Sequence, residues 1–268
     1  MITINGHKLV PTVFPDKTTQ VWKLPEWLFK HSSYWIDWRW ENESEVIQLA
    51  QLMHLLTHKN PEGASHTVLY SPYLPYARQD KNVENNETFA LRTMAAVINT
   101  LAFEKVISLD VHNESVADSS IRHFQNIPPV LYHQYLLKMI DPELIVFPDH
   151  GAWGRYPHLH DRPNVCFQKK RDQSTGQIIG HALMPDQNNE RIKDAKNILV
   201  VDDICDGGAT FISVAKAIDE INQYADYQLS LAVTHGLFSK GLSLLQTAGF
   251  NSIWATNSIK NCTASFEV

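Results

Sequence analysis

Short apolar runs alternating with segments of helical period constrain this chain more than any other feature. Asn197–Val201 and Gln228–Thr234 read as buried strands. They are followed by helical stretches, Thr210–Ile221 (Phe211, Val214, Ala215, Ile218 and Ile221 on one face) and Ser239–Thr247. Upstream, His66–Tyr70, Lys105–Val111 and Leu144–Phe147 read as strands, as does Ser252–Ala255 near the end. Glu87–Leu101 and Leu131–Ile140 read as helices, and a further helix starts at Asn42, which with Glu45 forms a capping box ahead of Val46, Ile47, Leu49 and Leu52. Apolar strands joined by helices of this length imply βαβ crossovers, hence parallel sheets covered on both faces. The expected fold class is α/β, with two doubly wound parallel-sheet domains, since 268 residues hold about two domains of roughly 150. Two prolines place the seam near Asn126–Pro129, giving domains 1–127 and 128–268.

The first forty residues depart from this pattern and hold five of the seven tryptophans (Trp22, Trp27, Trp35, Trp38, Trp40), a density that suits core packing or an oligomer contact ahead of the third reading, a ligand lid. Lys+Arg 23 against Asp+Glu 29 leaves a net charge of −6, so no sequence-wide basic field invites nucleic acid or an anionic membrane. Any phosphate must be held locally. The apolar runs fall far below the roughly 18–20 residues that span a bilayer, and MITINGHKLV carries no signal-peptide pattern. The chain reads as a soluble cytoplasmic protein with reduced thiols at Cys166, Cys205 and Cys262, which form no C-x-x-C pair. His158 and His160, with His150 and His181 nearby, lack metal-site spacing and read as surface or loop histidines.

Ligands of open parallel sheets sit beyond the carboxyl ends of the strands, which directs attention to the loops there. After Ile198–Val201 the chain reads Asp202-Asp203-Ile204-Cys205-Asp206-Gly207-Gly208-Ala209-Thr210 and enters a helix. Small residues at a helix N-terminus let backbone N–H groups turn inward as an anion nest, where the helix dipole also favours phosphate. Asp202 and Asp203 then suit ribose hydroxyls or a metal. The plainer reading is an acidic turn with Asp206 near an N-cap.

VVDDICDGGAT resembles the phosphoribosyl-binding signature of type I phosphoribosyltransferases and ribose-phosphate pyrophosphokinases (PRPP synthetases). SPYLPYARQDK (71–81) resembles the pyrophosphokinases' ATP segment, which ordinary phosphoribosyltransferases lack. LDVHNES (109–115) is similar to their metal- and ATP-contacting strand end, FPDHGAWGRY (147–156) to their S-P-D-x-G-G turn, FQKKRD (167–172) to their catalytic K-R-R stretch and THGLFSKG (234–241) to a late T-H-x-x-F-S strand end. Together these motifs cover about residues 14 to 257.

The resemblance implies two phosphoribosyltransferase-like domains, an N-terminal one for ATP and a C-terminal one for the ribose phosphate, with the active site between them. It also implies ATP contacts from Asp16, Arg78, Gln79, Asp80 and His112, Mg²⁺ held through His112 and Asp149, and catalysis by Lys169 and Arg171. Asp202, Asp203, Asp206, Gly207, Gly208, Ala209 and Thr210 would bind the ribose phosphate. The reaction implied moves a diphosphate from ATP to a sugar hydroxyl, and a homo-oligomer, dimer or hexamer, is expected. Each role has a physical basis. Arginine clamps phosphate bidentately, a hard divalent ion bridges ATP oxygens, and cations meet the charge that develops on the moving group.

Two departures from the family pattern stand out. Phe14-Pro15-Asp16-Lys17-Thr18 only echoes the F-S-D-G-E stretch through which a neighbouring subunit usually helps bind adenine. The usual Asp-Thr-Gly of the phosphate loop has become Asp206-Gly207-Gly208, which removes a hydroxyl donor and opens space for a bulkier ribose 5-phosphoryl compound. The acceptor is therefore expected to be ribose 5-phosphate or ADP-ribose, with phosphoribosyl transfer to a base, or a non-catalytic partner of a true synthetase, as the remaining alternatives.

Overall fold

A computed structural model of the chain describes residues 1–82, 86–171, 178–185, 187, 189–222, 224, 226–259 and 265–266. Cys262 lies outside them. The chain divides into two compact units, one built on Met1–Pro128 and the other on Pro129–Asn257. Among the described residues no helix is long and apolar enough to cross a membrane.

The first unit contains strands β1 (Ile2–Ile4), β2 (His7–Lys8), β3 (Thr12–Val13), β4 (Thr19–Gln20), β5 (Tyr34–Trp38), β6 (Thr67–Tyr70), β7 (Lys105–Leu109) and β8 (Phe124–Ile127). Its helices are α1 (Ser44–Lys59), α2 (Pro61–Ser65), α3 (Ala90–Thr100) and α4 (Glu114–Ser120). The main sheet runs β2-β1-β5-β6-β7-β8, with β5 to β8 parallel and β1 antiparallel to β5. Because β5 to β8 advance in one direction, right-handed crossovers place their helices on one face. A single apolar core results, in which Leu49, Leu52 and Leu56 of α1 and Leu91, Met94 and Ile98 of α3 pack with Ile36, Trp38, Leu69 and Val106.

The tryptophan-rich start divides between core and surface. Trp38 is fully buried, whereas Trp22, Trp27 and Trp35 are 41%, 49% and 45% exposed. The capping box expected at Asn42 does not form as such. Asn42 Oδ1 accepts from the Ser44 amide at 3.0 Å, but Glu45 is drawn into the core edge, where its carboxylate accepts from Trp38 Nε1 at 3.0 Å and the Glu41 amide at 2.9 Å. A buried indole N–H needs an acceptor, and Glu45 supplies it.

The second unit comprises α5 (Val130–Ile140), β9 (Leu144–Phe147), α6 (His150–Arg155), β10 (Asn164–Arg171), β11 (Ile178–Leu183), α7 (Glu190–Asp194), β12 (Asn197–Cys205), α8 (Ala209–Asp219), β13 (Gln228–Gly236), α9 (Ser243–Thr247), β14 (Ser252–Thr256) and β15 (Ser265–Phe266). Its sheet runs β11-β10-β9-β12-β13-β14-β15 and is parallel except for the β10–β11 hairpin. Alternate residues of β9 face opposite ways. Leu144 and Val146 join one core with Phe211, Val214 and Ile218 of α8, and Ile145 and Phe147 join another with Leu136 of α5 and Ala152 of α6. This sheet is covered on both faces. The chain leaves β9 toward β10 and returns to β12 on β9's other side, so strand order reverses between β9 and β12. Such a switch point opens a crevice at the strand ends.

Candidate active site

The second unit's crevice is framed by residues that follow β9 and close β12. Asp149 caps α6, its Oδ1 accepting from the Ala152 amide at 3.0 Å, while its Oδ2 meets Lys169 Nζ at 3.2 Å. Burial pushes the Asp149 carboxyl up, but the Ala152 amide and the Lys169 charge outweigh it and hold the group below its ordinary value. The expected strand Asn197–Val201 continues to Cys205, so Asp202 and Asp203 belong to β12 itself rather than to the loop. Both are gripped by Arg155 Nη1, at 3.3 Å from Asp202 Oδ1 and 2.8 Å from Asp203 Oδ1, and the Asp203 amide donates to Asp202 Oδ1 at 2.9 Å. Burial, then the adjacent Asp203 carboxylate, raise the Asp202 carboxyl well above the usual range.

Asp206, Gly207 and Gly208 form the turn into α8, whose first residues are Ala209 and Thr210. The helix is capped by Gly208 and not by Asp206. Gly208 sits at φ 79°, in the left-handed region that glycine tolerates best, and no side chain caps the helix N-terminus. A Cβ on Gly207 would lie 3.5 Å from Lys240 Cε, so the aliphatic stem of Lys240 runs alongside the bare backbone of the loop. Cys205 O accepts from the Leu237 and Phe238 amides at 2.9 and 3.1 Å, tying the turn to the end of β13.

In the first unit, the segments after β6 and β7 lie side by side. The Leu109 amide donates to Pro72 O at 3.0 Å, and Asn113 Nδ2 donates to Asp80 Oδ2 at 2.6 Å. Asn113 also caps α4. Arg78 and Gln79 are exposed and His112 is half-buried. Tyr76 at φ 65° and Asp110 at φ 44° hold left-handed backbone on either side of this pair of loops, strain of the kind that collects at functional sites. Asp16 stands apart from these loops, at the turn between β3 and β4. There Thr18 donates to its Oδ1 through both hydroxyl and amide, which together hold its carboxyl below the ordinary value.

No protein-family model matches the chain. It is 30% identical over 200 residues to a ribose-phosphate pyrophosphokinase of Mycoplasmopsis pulmonis, covering 70% of this chain and 58% of that protein. A ribose-phosphate pyrophosphokinase of Methanobrevibacter smithii matches at 25% over 251 residues, 84% of this chain and 80% of its own length. The chain belongs to the ribose-phosphate pyrophosphokinase family. In fold it is similar to the phosphoribosylpyrophosphate synthetase of Mycobacterium smegmatis, with a TM-score of 0.65 and 20% identity over 81% of this chain and 68% of that one.

Family motifs pointed to Asp149, Lys169, Asp202 and Asp203 and to the 206–210 turn, and the second unit gathers all of them at one switch point. They also pointed to Arg171, whose backbone ends β10 and whose side chain lies outside the described residues. Sequence reasoning missed Arg155, the cation that neutralises the Asp202–Asp203 pair. Arg155 stands six residues after Asp149 at the end of a short helix, and nothing in the sequence says which acids it meets. His181 was expected on the surface or a loop and is instead buried on β11, because the polar stretch after Arg171 returns as the second strand of a hairpin. Burial, and then the Lys169 charge, lower its basicity. The other histidines of the group pack as rings. His160 stacks on Trp153 with 4.2 Å between ring centroids, and His158 stacks on buried His133, whose pKa burial lowers to about 3. Among the described residues no three side chains gather as a metal cage.

Proposed function

We propose that this chain is a Mg²⁺-dependent diphosphokinase that transfers the β,γ-diphosphoryl group of ATP to the C1 hydroxyl of a ribose 5-phosphate moiety, releasing AMP. The C1 oxygen bonds to the β-phosphorus, the bond from that phosphorus to the α–β bridging oxygen breaks, and AMP leaves with the bridging oxygen as the hydroxyl proton is lost. One observation carries the reading: Lys169–Asp149 and Arg155–Asp202–Asp203 lie at the β9/β12 reversal, where the open N-terminus of α8 also begins.

Within this reading Asp202 and Asp203 orient the ribose hydroxyls while Arg155 keeps their charges tolerable. The backbone amides of Gly208, Ala209 and Thr210, with Asp206 and Gly207 shaping the turn, hold the 5-phosphate. Lys169 and Arg171 meet the charge on the moving group. Arg78, Gln79, Asp80 and His112 hold the nucleotide, with Asp16 contributing from its hairpin. Mg²⁺ keeps several waters and needs only one or two carboxylates when phosphates complete its shell, so an Asp149 kept ionised by its neighbours suits it and the absence of a cage is no conflict. Asp149 and His112 are the residues that would hold the ion or its waters, and the bound ion would neutralise ATP oxygens. The chain is further proposed to act in the cytoplasm as a homo-oligomer.

A second acceptor, ADP-ribose, is favoured by Gly207. The family's threonine hydroxyl is replaced by bare backbone beside the Lys240 stem, a surface that accommodates a diphosphate linkage where a terminal phosphate monoester usually sits. AMP release from ATP and Mg²⁺ with each acceptor, products identified by mass and ³¹P NMR, tests both readings. AMP with ribose 5-phosphate supports PRPP synthesis, and AMP with ADP-ribose alone supports the second acceptor. No AMP with either overturns the diphosphokinase reading, and product formation only when an activated ribose and a base are supplied would make the chain a phosphoribosyltransferase.

A further inference from the structure

In the β10–β11 hairpin, Lys169 and His181 are directly opposite each other, so their side chains stand on the same face of the ribbon. Lys169 reaches Asp149 from that face, which aims it at the end of β9. His181 is 9% exposed, and neither of its ring nitrogens has a hydrogen-bond partner. A neutral imidazole carries one N–H donor and one acceptor. Burying both unmet is costly, and natural interiors leave few such atoms without a reason. A residue that only filled space here would be served better by leucine, and one that only braced Lys169 would bond to it.

We propose that His181 is a substrate-contacting residue: its ring N–H donates to a non-bridging oxygen of the phosphoryl group that Lys169 also meets. The inference rests on the diphosphokinase reading and adds to it a neutral, directional donor beside the cation. Lys169 supplies charge without a fixed direction, since an ammonium has three rotatable donors. A planar ring buried on a strand fixes one direction, which discriminates between orientations of the same oxygen.

The test compares the full chain with His181→Leu and His181→Gln by three measurements: kcat and KM for ATP in AMP release, calorimetric titration with inorganic pyrophosphate, and the melting temperature of the ligand-free protein. Leucine removes the donor and the unmet atoms together, so H181L is expected to melt at or above the wild type. Its kcat/KM is expected to fall about 10- to 100-fold and its pyrophosphate affinity about 10-fold, the range for losing one hydrogen bond to a charged group. H181Q, which keeps an N–H, is expected to recover most of both losses. Wild-type kinetics and pyrophosphate binding in H181L would overturn the inference. So would a lowered melting temperature in H181L with no recovery in H181Q, which would make His181 structural. If the wild type forms no AMP with either acceptor while H181L still loses pyrophosphate, the reaction reading fails and the contact stands.

Discussion

At the ends of β9 and β12 the charges are already matched within the protein, Lys169 to Asp149 and Arg155 to Asp202 and Asp203, on side chains that are mostly or partly buried. At the ends of β6 and β7, Arg78 and Gln79 stand exposed, and the two loops are tied by the Asn113–Asp80 bond and a backbone contact. Topology accounts for the contrast. Reversal of strand order in the second unit leaves a crevice lined from both sides, whereas strands that advance in one direction leave a row of loops. A lined crevice can fix charges before substrate arrives, which is where electrostatic catalysis gains most. An exposed row of loops holds no charges fixed in this way.

If that contrast is right, the largest effect comes from the crevice cation. Lys169→Ala is expected to lower AMP formation about 10²–10³-fold, as loss of a preorganised electrostatic group does, with little change in melting temperature because the side chain is 39% exposed. Steady-state kinetics and a thermal melt check the two halves. Next is Arg155→Met, which leaves the buried Asp203 and the partly buried Asp202 without their cation and is expected to cost about 3 kcal/mol of stability, read by urea denaturation. Its pH dependence has a definite sign. Asp202 has a raised folded-state pKa, so its protonated form favours the native state at low pH and that contribution is lost as pH rises through the raised value. The R155M deficit should therefore be deepest at high pH and shrink on acidification. Asp149, held low, works the other way, contributing stability above its unfolded value that is lost as pH falls through the lower folded one.

In the exposed row the expected effects are smaller. Asn113→Ala removes both the α4 cap and the tie to Asp80 and should cost about 1 kcal/mol while raising the KM for ATP. An effect as large as that of R155M would erase the distinction between the two regions. Smallest is Glu104→Ala, which breaks a 3.5 Å contact with His66 between half-exposed side chains. It should change stability by less than about 0.5 kcal/mol, measured in the same urea titration.

Much of this was legible in the residues. The apolar strands β9, β12 and β13 announced themselves, as did the acidic, glycine-bearing turn after β12. β8 and β10 did not. β8 carries Gln125 and Asn126 at an exposed sheet edge, and β10 begins apolar at Val165–Phe167 and then runs out as Gln168-Lys169-Lys170-Arg171. A strand that is half sheet and half projecting ribbon has no single period to read. The role of Arg155 was hidden for a related reason: which acid a cation neutralises depends on which strands are neighbours, and β9 and β12 are brought together only by the strand order.

That order also bears on how the chain is made. By Ile127 every strand of the first unit has met its partners, so its sheet can close while the remainder is still being synthesised. An inner strand of the second unit, β9, lies between β10 and β12 and cannot be enclosed until the chain has been extended to about Cys205. For that interval an apolar Leu144–Phe147 segment waits with one edge unpaired, open to association with other nascent chains.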